Sequence, residues 1–413
     1  MLKKAVLPNG LRVISDAMGK SRTVSLGFWT AVGARHEETA EEEGLAHLLE
    51  HMAFKGTSKR TAAELAMRID AMGGQLNAFT TAEYTAYCVC VLDRHLEEAF
   101  ALLAEMLFDS VLAETEIEKE KTVILQEYDM YEDTPEEFLQ DLYYQKVWSG
   151  HPLGRNILGS RESIRAFSRE KLARFHDKHY HAGNLIITAA GACDQDELMR
   201  LCRQYLTGVK AGEPHALTAL PPVFNVIDDY EVKKLEQTQI VMGTDGFSHK
   251  DKHWFAAQLL NTIVGGSVSS RLFQTVREEM GLTYSIGSGL TCFHDCGMFQ
   301  VTAAANPEQA DEVAKMVRTL LHELGANGVR EEELQRAKEQ VISSLLMGLE
   351  SSLGRMNRAA KLVLYDLPLW SAEQFVEQIE KISLAEVNQT AALLFNRPLS
   401  CLMLGPKKRK RKQ

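Results

Sequence analysis

The sequence predicts an α+β protein made of two tandem, homologous domains, each an α/β sandwich in which helices pack on a mostly antiparallel sheet. Its 413 residues exceed what one typical core accommodates. Both halves contain short strand-like runs followed by long amphipathic helical stretches. Residues 91–125 also resemble residues 304–342 in helix lengths, turn position and charge placement, as expected for two copies of one unit.

The first half is predicted to begin with a hairpin, because Asn9 and Gly10 separate two apolar runs. The acidic stretch 37–43 precedes a helix within 44–57, whose first turn gains from negative charge. The other elements follow from alternation in strands and helical periodicity elsewhere. They are strands at Lys4–Val6, Leu11–Ser15 and Thr23–Val32, a helix from Thr61 to before Gly73, a strand pair within 74–92, helices at Glu97–Asp109, Thr115–Tyr131, Pro135–Trp148, 168–179 and 194–207, and a strand at Asn184–Gly191.

The second half repeats this kind of pattern. We predict strands at Gln237–Gly243, Thr283–Ser288 and Gly297–Ala305, and helices at Lys252–Val264, 307–325 and 330–349. Between the halves, glycines and prolines with little periodicity indicate a linker. The predicted domains are 1–208 and 228–406, with the linker at 209–227 and a basic tail at 407–413.

Charge and composition narrow the class of protein. The formal net charge is −10, and because Lys407 to Lys412 contribute +6, the rest of the chain carries −16. An acidic body favours basic partners and does not suit nucleic acid. No apolar run is long enough for a signal peptide or a membrane span, and seven cysteines without a C-x-x-C pair argue against a disulfide framework. We expect a cytoplasmic protein that binds neither nucleic acid nor membrane.

The most informative motif is His47-Leu48-Leu49-Glu50-His51, an H-x-x-E-H spacing within a predicted helix. Helical geometry places the two imidazoles and the carboxylate on one face. An apolar stripe lies on the opposite face, formed by Leu45, Leu48, Leu49 and Met52. The motif has the spacing of inverted zinc peptidases, and a solvated polar face is the alternative interpretation. A metal site needs a third ligand.

Two glutamates on the predicted helix 115–131 are candidates for that ligand. Glu120 and Glu127 are seven residues apart, so they share nearly one azimuth, and the same face has the apolar residues Ile117, Val123, Ile124 and Tyr131. A carboxylate within an apolar stripe needs a cation or a metal as its partner. A buried ion pair with Arg or Lys is therefore the alternative to metal binding.

At this point the sequence resembles the pitrilysin/insulinase family of zinc peptidases. The similarity is greatest to its short bacterial branch and to the catalytic subunit of the mitochondrial processing peptidase, whose fold the resemblance implies. The segments GLAHLLEHMAFKGT, GGQLNAFTTAEYTAY and HPLGRNILG carry it, and it extends from about Leu7 to Leu404. It implies one zinc ion per chain held by His47, His51 and Glu127. Glu50 would be the base, and Glu120 would orient a ligand histidine or its helix.

The resemblance also implies contacts with a peptide substrate. Arg277 and Tyr284, within RLFQTVREEMGLTYSIGSG, match a pair that reaches the active site from the second domain. A surface ion pair for Arg277 and a core position for Tyr284 are the alternatives. Asn77, Ala78 and Phe79 match a strand to which the substrate is added as a further strand.

The predicted function is zinc metalloendopeptidase, acting inside a closed chamber on short or unfolded peptides, including basic and presequence-like ones. Family enzymes enclose peptides between two bulky halves, so a chain with two repeats is expected to form a homodimer. A non-catalytic scaffold or partner subunit is the second hypothesis. A third is that the basic tail binds nucleic acid or a membrane surface, and its alternative is a solvated tail.

Overall fold

The computed structural model describes residues 2–214 and 221–407. Part of the predicted linker and all but the first residue of the predicted basic tail lie outside these ranges. The strands are β1 (Leu2–Val6), β2 (Arg12–Ala17), β3 (Thr23–Thr30), β4 (Gln75–Thr80), β5 (Thr85–Leu92), β6 (Leu185–Gly191), β7 (Asp228–Val232), β8 (Thr238–Asp245), β9 (Thr283–Cys292), β10 (Gly297–Ala305) and β11 (Ser400–Gly405). The α-helices are α1 (Leu45–Met52), α2 (Ala62–Ala71), α3 (Leu96–Phe108), α4 (Glu114–Glu132), α5 (Pro135–Val147), α6 (Arg161–Ala166), α7 (Arg169–His179), α8 (Gln195–Tyr205), α9 (Trp254–Val264), α10 (Ala310–Asn327), α11 (Glu331–Gly348), α12 (Ser352–Leu364), α13 (Ala372–Lys381) and α14 (Leu384–Phe395).

The first sheet has six strands in the order β1-β2-β6-β3-β5-β4. Neighbouring strands are antiparallel except β2 and β6, which are parallel. The predicted hairpin joins β1 to β2, and its turn needs a glycine because Gly10 has a φ of 95°. Strand β4 lies at one edge of the sheet, so one side of its backbone pairs with no strand in the described ranges.

The second sheet repeats the topology of the first. Its order is β7-β11-β8-β10-β9, and only β7 and β11 are parallel. Strands β7, β11, β8, β10 and β9 therefore correspond in turn to β2, β6, β3, β5 and β4 of the first sheet. This correspondence confirms the predicted tandem α+β repeat, in which helices pack on mostly antiparallel sheets.

The chain forms two compact units that differ from a simple division at the linker. The first comprises Met1–Met130, Arg155–Leu220 and Met347–Ser371, and the second comprises Tyr131–Gly154, Pro221–Leu346 and Ala372–Gln413. Helix α12, from the second half of the sequence, thus packs on β2, β3 and β6 of the first unit. Helix α5, from the first half, packs on β8 and β11 of the second unit.

A physical reason for the position of α12 is that the first sheet is apolar on both faces. Side chains alternate across a strand, and Val13 and Phe28 lie in a core with helices α1, α3 and α8. Their neighbours Ile14 and Trp29 point to the opposite face, where α12 covers them with apolar side chains that include Met356. A contiguous first domain would leave that second face uncovered.

Some details were not predicted or differ from the prediction. Val123 is 37% exposed and does not belong to the buried face of α4, whereas Ile117 and Ile124 are buried. The helices and strand after residue 349, the short helix α6 and strand β7 are absent from the predicted elements. No helix in the described ranges is long and apolar enough to cross a membrane.

Candidate metal and catalytic site

Helix α1 is fixed from both its start and its apolar side. Gly44 precedes it with a φ of 93°, and a side chain there would meet the carbonyl oxygen of Leu158 at 2.4 Å. The buried Glu37 carboxylate accepts hydrogen bonds from the amides of Gly44 and Ala46, both at 3.0 Å. Burial raises the pKa of Glu37 to about 8, although these amide bonds oppose the rise. The predicted apolar stripe is confirmed as buried: Leu45, Leu48, Leu49 and Met52.

The opposite face of α1 brings the predicted ligands together with α4. The rings of His47 and His51 lie 4.6 Å apart between centroids. Their Nε2 atoms are 4.0 Å and 3.7 Å from the same oxygen, Oε2 of Glu127. One possible ligand atom from each of the three residues lies within 4.8 Å of the other two. The Glu127 side chain is 38% exposed, so this cluster is open to solvent on one side.

Glu120 is 3% exposed and has two partners. Its Oε2 is 2.9 Å from Nδ1 of His51, and its Oε1 is 2.6 Å from Nζ of Lys55. Because a carboxylate only accepts, Nδ1 of His51 donates, and the lone pair of a neutral His51 is then on Nε2, the atom nearer Glu127. The ion pair that the sequence left as an alternative thus exists together with the contact to the motif histidine. Lys55 was not predicted, because it lies beyond the last residue of α1, where helical spacing no longer fixes the direction of a side chain.

Glu50 is held by a residue that the sequence did not indicate. Its Oε2 accepts a hydrogen bond of 2.6 Å from Oγ1 of Thr80, the last residue of β4. Burial raises the pKa of Glu50, opposed by the Thr80 hydrogen bond and by His51, whereas the charge of Glu127 adds to the rise. The carboxyl group is therefore a better proton acceptor than a glutamate in water.

These residues fit a catalytic zinc ion. Burial, with a further contribution from His51, lowers the pKa of His47 to about 3, so its imidazole is neutral at physiological pH. Its Nδ1 is buried and has no hydrogen-bond partner in the described ranges. Two imidazoles and one carboxylate form a His₂Glu set, which binds zinc and leaves a fourth position open. Metal-binding histidines also characteristically donate their other nitrogen to a carboxylate, as His51 does to Glu120.

The second copy of the fold has a different set of side chains at these places. Helix α9, which follows β8 as α1 follows β3, contains neither histidine nor glutamate. When α4 and α11 are aligned at their first residues, Ala337 and Ser344 replace Glu120 and Glu127. The potential metal ligands therefore come from the first copy alone.

The predicted substrate strand is the edge strand β4. Asn77 is exposed on it, and Ala78 packs against the core that includes α1. Phe79 points to the opposite face, where its ring contacts Trp29 and Tyr84. The free edge of β4 has the backbone donors and acceptors that an added strand requires.

Arg277 and Tyr284 lie together in the second unit. The Arg277 guanidinium carbon is 4.4 Å from the ring centroid of Phe273 and 4.9 Å from that of Tyr284. The arginine lies within a π-helical stretch, Phe273–Glu279, a rare conformation that is frequent at functional sites. Tyr284 is 80% exposed, so it is not a core aromatic, and the ion-pair contact of Arg277 within the described ranges is a long one, 3.7 Å to Glu278. The sequence predicted Arg277 and Tyr284 as a pair, whereas the contact of Arg277 with Phe273 was not predicted.

The second unit also contains an acidic cavity of about 470 Å³ between α5 and the sheet. Three carboxyl groups line it, those of Glu136, Glu137 and Asp141. Burial raises the pKa of Asp141 to about 6, although a hydrogen bond from Tyr131 opposes the rise. The cavity thus becomes more negative as pH rises through this value.

Comparison with known proteins gives matches over most of the chain. Residues 12–161 match the family described as Insulinase (Peptidase family M16), and residues 166–341 match the Peptidase M16 inactive domain. The first match contains every residue of the candidate metal site. The second covers most of the copy that lacks these ligands.

Curated relatives and solved structures also match over nearly the whole chain. An uncharacterized zinc protease of Streptomyces coelicolor is 34% identical over 99% of this chain and 90% of its own, and one of Bacillus subtilis is 33% identical over 98% of both. A crystal structure described as a peptidase M16 inactive domain from Pseudomonas fluorescens has a TM-score of 0.93 at 21% identity, covering 99% of both chains. A protease from Helicobacter pylori has a TM-score of 0.91 at 22% identity, covering 98% of this chain and 99% of its own.

Proposed function

The chain belongs to the M16 (insulinase) family of peptidases, and from this premise we propose that it is an active zinc metalloendopeptidase. The observation that carries the proposal is the convergence of His47, His51 and Glu127 on one point, next to a buried carboxyl group at Glu50. A purely structural metal site would need four protein ligands and no base.

One zinc ion per chain would be held by His47, His51 and Glu127. When bound, it supplies Lewis acidity that polarises the scissile carbonyl and makes a water molecule acidic. Glu120 orients His51 by accepting a hydrogen bond from Nδ1, and Lys55 holds the other oxygen of Glu120.

Glu50 would act as the proton carrier of the reaction. Its carboxylate takes a proton from the attacking water and gives it to the amine that leaves the cleaved peptide. The raised pKa favours both steps, because a carboxyl group whose pKa is closer to the working pH can both take up a proton and give it away again.

The substrate would bind in part through its backbone, as a strand added to the free edge of β4 beside Asn77, Ala78 and Phe79. Such pairing needs an extended peptide and tolerates many sequences, which supports short or unfolded substrates. In the second unit, Arg277 and Tyr284 present donors for peptide carbonyls or a developing negative charge.

We further propose a preference for basic peptides, including presequence-like ones. The acidic cavity with Glu137 and Asp141 supplies carboxylates for a guanidinium or ammonium group. A peptide series in which one arginine is replaced by alanine tests this proposal. Cleavage of the arginine peptides, but not of the alanine peptides, should fall in Glu137→Gln and Asp141→Asn.

A homodimer that encloses the substrate in a chamber is also part of the proposal, since the two M16 copies of one chain are expected to need a second chain to complete it. Light scattering after size-exclusion chromatography should give twice the chain mass of 46.2 kDa.

A reducing, cytoplasmic location is supported by seven free cysteines.

The scaffold hypothesis is less well supported. A subunit that only binds a partner has no physical need for two histidines, a third ligand and a base in one cluster. A heteromeric complex that contains no metal would favour that hypothesis.

The test is cleavage of a quenched fluorescent peptide library by the zinc-loaded chain. Glu50→Gln keeps the size of the side chain and removes the base, so we expect loss of at least about two orders of magnitude in kcat. Metal analysis of the same samples should show one zinc ion per chain in both proteins.

The matched control is Glu118→Gln, which makes the same change at an exposed position of α4 and should keep full activity. The proposal is wrong if the zinc-loaded wild type cuts no peptide, or if Glu50→Gln cuts as fast as the wild type.

A further inference from the structure

We propose that Thr80 is a positioning residue that aligns Glu50 with the edge strand β4, so that the base and the strand receiving the peptide keep one fixed register. The inference rests on the proposed peptidase function and assigns a role to a residue outside the ligand set. It concerns a hydrogen bond between two elements that are 30 residues apart in the sequence.

The contact itself is short and partly buried. Oγ1 of Thr80 lies 2.6 Å from Oε2 of Glu50, and the Glu50 side chain is buried. A hydroxyl that donates to a carboxylate forms one of the stronger hydrogen bonds of proteins. This bond engages Oε2, and we take Oε1 as the oxygen that exchanges a proton with water or with the leaving amine.

Thr80 is itself held by the sheet. Leu76 and Ala78 pack on the core that contains α1, and since side chains alternate along a strand, Thr80 is on the same face. The backbone of Thr80 pairs with Thr85 across the antiparallel β4–β5 ladder. The turn that follows is closed by Thr81, whose amide donates to the carbonyl of Tyr84 at 2.8 Å.

The consequence for catalysis is geometric. A peptide added at the free edge of β4 takes its position along the strand from the backbone of β4. The hydroxyl at the end of that strand fixes the carboxyl group that has to reach the scissile bond. Thr80 therefore fixes the carboxyl group of Glu50 relative to β4 and so relative to the bound peptide. Helix α1 alone does not fix it, because a glutamate side chain has three rotatable bonds.

The test compares two substitutions at one position in the full-length, zinc-loaded protein. Thr80→Val keeps the branched shape and removes the hydroxyl, and Thr80→Ser keeps the hydroxyl and removes the methyl group. We expect Thr80→Val to lower kcat about 10- to 100-fold, since small misplacement of a catalytic group has effects of this size. KM should stay within about twofold, because the backbone edge that binds the peptide is unchanged.

Two further measurements separate positioning from loss of structure. Thr80→Ser should recover kcat to within about threefold of the wild type, and bound zinc should be equal in all variants. Thr122→Val is the matched control, because Thr122 is an exposed threonine of α4 whose hydroxyl donates to the backbone carbonyl of Glu118 within the same helix. It should change neither kcat nor KM.

Each outcome decides the inference. If the wild type cleaves peptides and Thr80→Val has the same kcat, the inference is wrong and the proposed function stands. The inference is also wrong if Thr80→Ser is as impaired as Thr80→Val, or if KM alone changes. If the wild type cleaves nothing while zinc is bound, the proposed function fails, and this inference fails with it.

Discussion

Replacing Glu120 by Gln should weaken zinc binding, although the side chain keeps its size and a carbonyl oxygen. Lys55 has only donors, so the amide oxygen of the new Gln must face Nζ of Lys55, which lies 2.6 Å from Oε1 of the present carboxylate. The amide nitrogen then faces Nδ1 of His51 at the 2.9 Å contact. His51 must accept there, and its proton moves to Nε2, the atom that points toward Glu127.

The size of the effect follows from this conflict. Zinc binding through Nε2 requires the tautomer of His51 that carries its proton on Nδ1. In that tautomer two donors, Nδ1 and the amide nitrogen of the new Gln, face each other, so their hydrogen bond is lost. Leaving a buried donor unsatisfied costs about 1–3 kcal/mol. Since 1.36 kcal/mol corresponds to a factor of ten, zinc Kd should rise about 5- to 150-fold.

The assay is competition for zinc with a chromophoric chelator at pH 7.5. The Lys55→Met variant provides the decisive comparison, because the amide of Glu120→Gln is free to rotate and accept from His51 once the lysine is gone. The double variant should therefore bind zinc better than Glu120→Gln alone. The reasoning is refuted if Glu120→Gln binds zinc as tightly as the wild type, or if the two substitutions weaken binding additively.

Three further predictions concern the second unit. Burial, partly offset by Tyr131, raises the pKa of Asp141 to about 6, so KM for arginine-containing peptides should fall as pH rises through 6, and Asp141→Asn should abolish this dependence. Burial would raise the pKa of Glu333, but its hydrogen bonds, chiefly with Arg271, lower it to about 2 from 4.5. Glu333→Gln should therefore reduce the free energy of unfolding in urea by about 1.5–3 kcal/mol at pH 7. This difference from the wild type should be fully present above pH 4.5 and should be lost as pH falls toward 2. A difference that does not change with pH would contradict this. Phe273→Leu should raise KM about two- to fivefold without changing bound zinc, because a cation–π contact at a partly exposed site contributes about 0.5–1 kcal/mol. An unchanged KM would contradict a role of the ring in holding Arg277.

The sequence was sufficient for features that depend on local periodicity. Helix α4 was predicted within a residue at each end, because its apolar residues recur at helical spacing. The same periodicity singled out Glu120 and Glu127, and the resemblance to a family gave them separate roles. The different exposure of their side chains, 5% for Glu120 against 38% for Glu127, was not foreseen, because it depends on how α1 and α4 pack.

Features that depend on tertiary placement were not predictable in this way. Thr80 became a candidate only when the pairing of β4 with β5 fixed where its hydroxyl points. Lys55 lies beyond the last residue of α1, so helical periodicity gave no firm direction for its side chain. Arg277 was identified from its sequence segment, whereas Phe273 gained its role from a π-helical backbone that sequence periodicity does not indicate.

The position of α12 has a consequence for the order in which the protein can fold during synthesis. Residues 347–371 complete the first unit but leave the ribosome long after the sheet they cover. Until then Ile14 and Trp29, both fully buried in the finished protein, have no cover from Met356. From the synthesis of β6 until residues 347–371 emerge, a nascent chain therefore exposes an apolar sheet face. Closing it late adds contacts between distant parts of the sequence, which slows folding and favours aggregation. We expect chaperones to bind chains whose translation is arrested before residue 347.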